Sequence, residues 1–148
     1  TNSNQASDLV FRKLVNKNGY IINKYLEIVK TDCNTKNEKL KPFTENLKIY
    51  LEILSKFTLW IKDKIRNSKD DASAACNDYL KALGYVATAH AWVKVLEVCF
   101  KEYDSNKSFY EDKIQTAQFY FKRVLPRAES HFKTSTSGSD YIMNFKFS

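Results

Sequence analysis

The residues that could carry chemistry are few and widely spaced. The 148-residue sequence has two histidines, His90 and His131, and three cysteines, Cys33, Cys76 and Cys99. No H-x-x-x-H or C-x-x-C spacing connects them, so the pattern predicts neither a zinc site nor a disulfide framework. The acids are dispersed along predicted polar faces and form no nucleophile-and-base set or carboxylate pair. We therefore assign no catalytic and no metal-ligating residue from the sequence.

Two of these residues lie in the most apolar part of the chain. His90 stands between Ala89 and Ala91, where a hydrogen-bonded core histidine is more common than a metal ligand or a general base. Cys99 is expected to be a small buried apolar residue rather than a nucleophile. Reduced thiols are typical of an intracellular chain, so we expect a cytoplasmic protein.

The net charge of +7, from 24 Lys and Arg against 17 Asp and Glu, raises the question of a nucleic acid partner. Only four of the basic residues are Arg, whereas surfaces that bind phosphates favour the bidentate guanidinium. The densest basic cluster is expected around the end of one helix, where the helix dipole favours positive charge; it consists of Lys62, Lys64, Arg66 and Lys69. We therefore predict a solvated lysine-rich surface and no nucleic acid partner.

Helices must position these residues, because three Gly and two Pro are too few for a turn-rich β-sheet protein. Helical patterns over Asn4–Val15 and Gly19–Val29 flank the residues Asn16-Lys17-Asn18-Gly19, which predict a left-handed break. A longer amphipathic pattern opens at Pro42 and runs to about Arg66.

The most apolar pattern predicts the central helix of a bundle. Either Asp71 or Ser73 can cap its start, and the pattern runs to about Tyr103. Only two side chains between residues 82 and 100 are charged, so we expect neighbouring helices to cover most of its circumference. Small residues, among them Gly84, are expected to let those neighbours approach closely.

A last amphipathic helix is predicted from Ile114 to Phe132, with a bend at Pro126. A loop over 134–139 and a short apolar tail over 141–147 follow. The fold class predicted is all-α, an antiparallel up-and-down helical bundle with four main helices and short N-terminal helical segments. The longest uncharged stretch of the apolar region is too short to cross a bilayer, so we expect no membrane span.

The first 14 residues and three later stretches carry a resemblance to a known family. The positions that match in the first stretch are Thr1, Asn2, Gln5, Ala6, Asp8, Leu9, Val10, Arg12, Lys13 and Leu14. They resemble E-G-T-N-G-I-Q-A-L-D-L-V-G-R-K-L, the segment that follows the catalytic Glu in one branch of the acyl-CoA dehydrogenases. Residues 83–87, 117–120 and 124–127, with Trp92, look like the additional C-terminal helical domain of that branch.

The resemblance implies a part of a flavoenzyme that dehydrogenates acyl-CoA thioesters with FAD. The catalytic Glu would fall two residues before Thr1, and the domains that hold most of the flavin and CoA would lie outside this sequence. The resemblance places Thr1, Asn2 and Ser3 at the edge of the FAD. It also divides the chain into residues 1–34, the tail of the dehydrogenase helical domain with a connecting helix, and residues 35–148, the C-terminal-like bundle.

Two functional hypotheses follow. In the first, the chain is a structural C-terminal domain that packs on the dehydrogenase body of its parent enzyme, forms part of a homo-oligomer, and neither retains FAD nor acts alone. FAD and acyl-CoA then belong to the parent enzyme only. In the second, the chain is a free-standing interaction bundle whose lysine-rich surface binds an acidic partner.

Overall fold

The computed structural model describes residues 2–146, and all of its regular secondary structure is helical. The α-helices are α1 (Asn2–Ser7), α2 (Tyr20–Asp32), α3 (Lys41–Asn67), α4 (Lys69–Lys101), α5 (Lys107–Phe119), α6 (Arg127–Ser135) and α7 (Asp140–Met143). π-Helical turns over Asp8–Lys13 and Tyr120–Val124 extend α1 and α5, and 3₁₀ turns occur at Asn16–Gly19 and Tyr103–Ser105. The prediction of an all-α bundle is confirmed.

The two longest helices, α3 and α4, form an antiparallel hairpin at the centre of the bundle. They have 27 and 33 residues, which correspond to lengths of about 40 and 50 Å at the α-helical rise. A single extended residue, Ser68, joins them. Helix α4 also packs against α1, α5 and α6, so the prediction that it is the central helix is confirmed.

One hydrophobic core runs through the bundle. Helix α3 contributes the apolar positions that its helical spacing predicts, and α4 contributes a stripe of smaller residues beside one large aromatic ring. The fully buried members of these stripes include Leu47, Leu54, Phe57, Ile61, Tyr79, Val86, Ala89 and Val93. The N-terminal segment buries Ala6, Val10 and Leu14 in the same cluster.

The predicted break after the N-terminal segment is confirmed. Lys17, Asn18 and Gly19 all have positive φ angles, of 47°, 55° and 75°. A side chain on Gly19 would also meet the Lys62 side chain, because a Cβ there would lie 2.6 Å from the Lys62 Nζ. The flexible Lys62 side chain can move away, so the left-handed backbone is the main reason that glycine is favoured at this position.

The start of α4 differs from the prediction. The helix begins at Lys69 rather than after Asp71 or Ser73, because the one residue Ser68 is enough to reverse the chain. The Ser68 N–H donates to the Lys64 carbonyl at 2.8 Å, and the Ser68 carbonyl accepts from Ala72 at 3.1 Å. Asp71 therefore lies in the first turn of α4, and its carboxylate accepts a hydrogen bond from Ser139 in a distant part of the chain.

The expected role of Gly84 was wrong. No atom outside its own helix lies within 4 Å of a Cβ built on this residue. Gly84 belongs to a solvent-exposed stripe of α4 together with Thr88, Ala91, Val95 and Val98. One side of this part of α4 therefore lies open to solvent, and neighbouring helices cover less of its circumference than the low charge predicted.

The predicted last helix is divided into two α-helices. The Leu125 N–H donates to the Tyr120 carbonyl five residues earlier, and Pro126, which has no N–H, precedes the start of α6.

The predicted 134–139 loop starts later, since Thr134 and Ser135 end α6. In the tail, Phe147 lies outside the described residues, while Tyr141, Ile142 and Met143 are exposed. Among residues 2–146, every helix is too short or too polar to cross a membrane.

Candidate functional site

A histidine–aspartate pair joins the end of α2 to α4. The His90 Nε2 lies 2.8 Å from the Asp32 Oδ2, and the Lys94 Nζ lies 3.0 Å from the same oxygen. These hydrogen bonds hold the pKa of Asp32 below its ordinary value. His90 is hydrogen-bonded, as predicted, but partly exposed instead of belonging to the core.

This pair has no activated nucleophile beside it. Cys33 follows Asp32 in the chain and is 2% exposed. Burial, with a smaller contribution from the Asp32 charge, raises the pKa of its thiol. A buried thiol with a raised pKa stays protonated and is a poor nucleophile. The arrangement therefore fixes α2 against α4 rather than supporting acyl or group transfer.

A second histidine–aspartate pair joins α6 to α4. The His131 Nδ1 lies 2.7 Å from the Asp78 Oδ1. The His131 ring also stacks on Tyr85, with centroids 5.7 Å apart and an interplanar angle of 17°. Both contacts position α6, and neither brings a nucleophile to the ring.

Asp71 holds the segment that follows α6. Its Oδ1 accepts hydrogen bonds from the Ser139 N–H at 2.9 Å and the Ser139 hydroxyl at 2.8 Å, and its Oδ2 lies 2.9 Å from the Lys64 Nζ. Lys64, followed by Ser139, holds the pKa of this carboxyl well below its usual range. One carboxylate thus connects α3, α4 and the approach to α7.

The thiols and possible metal ligands form no site. All three cysteines are free and buried, and burial raises the pKa of each thiol, so the prediction that Cys99 is buried is confirmed. Within residues 2–146, no group of three or more His, Cys, Asp or Glu side chains is arranged to hold a metal ion.

The residues predicted at the edge of FAD stay a prediction. Thr1 lies outside the described residues. Asn2 and Ser3 begin α1 and are exposed, and neither contributes to the cleft described next.

Sequence reasoning missed a cleft of about 690 Å³ between the start of α3, the end of α4 and the α5–α6 region. Phe43, Asn46 and Tyr50 line one side of it, and their spacings of three and four residues place them on one face of α3. That spacing was a usable signal. Lys39, in the turn before α3, lines the same side. The opposite side is brought there only by tertiary packing, and includes Phe100, Phe121 and Lys122.

Comparison with protein families identifies the chain. The family model described as acetyl-CoA dehydrogenase C-terminal like matches residues 22–146, which include most of α2, all of α3 to α7 and the whole cleft. The chain belongs to this family. No curated protein gave a significant match. The family match begins inside α2. Residues 1–14, from whose resemblance the FAD contacts were predicted, precede it and are not part of the match.

Proposed function

We propose that this chain is the structural C-terminal domain of an acyl-CoA dehydrogenase-like flavoenzyme, which carries out FAD-dependent α,β-dehydrogenation of acyl-CoA thioesters. The family match over residues 22–146 carries this proposal. The chemistry described above supports it, because both histidine–aspartate pairs serve as joints between helices. Proton abstraction from the acyl-CoA and binding of most of the FAD belong to the dehydrogenase body.

The body is proposed to dock on the exposed face of the N-terminal region. Tyr20, Ile21 and Ile28 of α2 are large apolar side chains exposed to solvent, and Val15 precedes them. Ile21 and Ile28 are seven residues apart and therefore share one face of α2. The resemblance of residues 1–14 supports this face, because it places the dehydrogenase body immediately before them.

The same resemblance supports the finer assignments. Thr1, Asn2 and Ser3 would lie at the flavin edge, with residues 1–34 linking the body to the bundle of residues 35–148. The structure joins both segments in one core, since Val10 packs in the same cluster as Leu47. The chain would be cytoplasmic and part of a homo-oligomeric enzyme.

Mixing this chain with a separately produced dehydrogenase body tests the proposal. Sedimentation should detect a complex, and Ile21→Glu with Ile28→Glu should weaken it at least about tenfold, since a buried carboxylate is strongly unfavourable. Ile49→Glu is the matched control, because Ile49 on α3 is 57% exposed and Ile21 is 58% exposed. Equal effects of both changes, or no complex, would contradict the docking face.

The isolated chain provides the second measurement. With FAD, an acyl-CoA and an artificial electron acceptor, it should neither retain the visible flavin absorption after gel filtration nor reduce the acceptor. Flavin retained with turnover would show that the proposed division of labour is wrong.

The alternative, a lysine-rich surface for an acidic partner, loses part of its support in the structure. The Lys62 ammonium donates to the Asn18 carbonyl at 3.0 Å, and Lys64 pairs with Asp71. Half of the densest basic cluster is thus engaged within the fold. Salt-sensitive binding of poly-glutamate by the free chain, in the absence of binding to the dehydrogenase body, would favour the alternative.

A further inference from the structure

The 690 Å³ cleft has an aromatic floor that belongs to the core. Phe43 of α3 packs against Phe121 with ring centroids 5.3 Å apart and an interplanar angle of 79°, and against Phe100 at 6.5 Å. Edge-to-face packing of this kind fixes ring positions. The volume falls within the range of about 300 to 1,000 Å³ typical of small-molecule sites.

One polar atom in the wall has no partner. The Asn46 Oδ1 is shielded from solvent and accepts no hydrogen bond, although Asn46 lines the cleft. Shielding an amide oxygen without a donor is unfavourable. A turn of the Asn46 amide towards the cleft would present this oxygen to an N–H or O–H group of a bound molecule, and that hydrogen bond would remove the penalty.

Two ammonium groups supply the charge of the cleft. Lys39 and Lys122 line it, and its lining contains no acidic residue. Among the described residues, neither ammonium group takes part in an ion pair that would neutralise it. The charge of Glu129 adds to the larger effect of burial in raising the pKa of Tyr50 in the cleft wall, and the Glu129 carboxylate pairs with Lys133 at 2.8 Å.

We propose that this cleft binds a small amphipathic acid, with an aromatic body on the Phe43–Phe100–Phe121 floor, an N–H or O–H donor to the Asn46 Oδ1, and a carboxylate near Lys39 and Lys122. The combination of the three groups in one cleft commits the site to this chemistry. A neutral apolar molecule leaves both lysines unused, and a cation is repelled by them. The proposal is independent of the dehydrogenase body and of the FAD contacts.

Indole-3-acetate is a suitable probe because it carries all three features. Its binding to the full chain can be measured by calorimetry and mapped by ¹H–¹⁵N chemical shifts. We expect the shifts to concentrate on residues around Phe43, Asn46 and Phe121. 1-Methylindole-3-acetate, which lacks the N–H donor, should bind about five- to tenfold more weakly. Tryptamine, which replaces the carboxylate by an ammonium group, should not bind in the same concentration range.

Matched variants test each contact. Lys39→Gln with Lys122→Gln should weaken indole-3-acetate binding about tenfold or more and reduce its salt dependence. Lys56→Gln, which changes an exposed lysine of α3 that does not line the cleft, should have neither effect. Asn46→Leu should remove the preference for indole-3-acetate over its methylated analogue. These lysine changes lie at the surface, so folding is expected to be kept and can be verified by circular dichroism.

Several results would overturn the proposal. Absence of binding at millimolar probe would do so, as would shifts confined to another surface such as the exposed tail. Equal binding of acid, methylated acid and amine would indicate adsorption to an apolar surface without the proposed recognition. If the free acid does not bind, but adding a dehydrogenase body changes the amide signals of the cleft residues, the cleft is occupied by a side chain of that body and the proposal is wrong.

Discussion

Replacing Thr58 by Val should destabilise the protein more than replacing its partner Tyr79 by Phe, although each change removes the same hydrogen bond. The Thr58 Oγ1 and the Tyr79 hydroxyl are 2.9 Å apart, with exposures of 2% and 0% for the two residues. The Thr58 hydroxyl also donates to the Leu54 carbonyl at 2.8 Å. Because the Thr58 hydroxyl has only one proton, and donates it to Leu54, the Tyr79 hydroxyl must be the donor in the pair.

The asymmetry follows from what each change leaves behind. Tyr79→Phe removes a donor, and the Thr58 hydroxyl keeps its bond to Leu54, so the loss should be about 1 kcal/mol, the net contribution of one hydrogen bond. Thr58→Val keeps the shape but leaves the Tyr79 hydroxyl buried without an acceptor. That desolvated group should lower the free energy of unfolding by about 2 to 3 kcal/mol.

Urea unfolding followed by circular dichroism measures these differences, provided that the slope of the free energy with urea is unchanged. The double variant should be less destabilised than the sum of the two single changes by about 1 kcal/mol or more, since it leaves no orphaned group. Thr58→Ser is the control, because it keeps the hydroxyl and should behave closer to the unchanged protein than Thr58→Val does.

The same pair predicts a pH dependence. Burial raises the pKa of Tyr79 to about 12 from an ordinary value of 10. The folded state therefore holds the phenol proton more tightly than the unfolded state does. This contribution to stability is complete below pH 10 and is lost as the pH rises from 10 towards 12, at up to about 1.4 kcal/mol per pH unit.

The advantage of the unchanged protein over Tyr79→Phe should therefore shrink above pH 10. An advantage that stays constant to pH 12 would contradict the burial argument. A Thr58→Val protein as stable as Tyr79→Phe would refute the assignment of Tyr79 as the donor.

Asp71→Asn should lower stability at neutral pH, and the unchanged protein should lose the contribution of Asp71 as the pH falls below about 4, since the folded carboxyl has the lower pKa; acid titration of the unfolding midpoint measures both. Gly84→Ala should stabilise the protein by about 0.5 to 1 kcal/mol, because Gly84 lies in a helix with open space around it. Gly19→Ala should destabilise it by about 1 kcal/mol, because its φ of +75° is a conformation that residues with a Cβ rarely adopt; thermal unfolding of the two variants compares them. A thiol reagent at pH 8 should react slowly with the native chain and fully after urea unfolding, since all three thiols are buried, Cys33, Cys76 and Cys99.

Local patterns predicted the helices well because their determinants are close in the sequence. The apolar spacing of α3 predicts the buried positions Leu47, Leu51 and Leu54, and the Asn-Lys-Asn-Gly run predicts the left-handed break. The start of α4 was misplaced because two acceptable caps follow it in the sequence. Asp71 was available as a cap by type, but its carboxylate is used by Ser139, 68 residues away.

The candidate sites were less predictable because, like the contact between Asp71 and Ser139, they join residues that are distant in the sequence. The resemblance indicated the family of the chain, which the match over residues 22–146 shows. The sequence by itself also determined the helical class, because few Gly and Pro and a 3.6-residue apolar period favour helices in any context. Only the tertiary structure decided that α4 leaves the Gly84 stripe exposed and that His90 meets Asp32. It also decided that Asn46 faces a cleft closed by Phe121 from the other end of the chain, since these contacts join residues that are distant in the sequence.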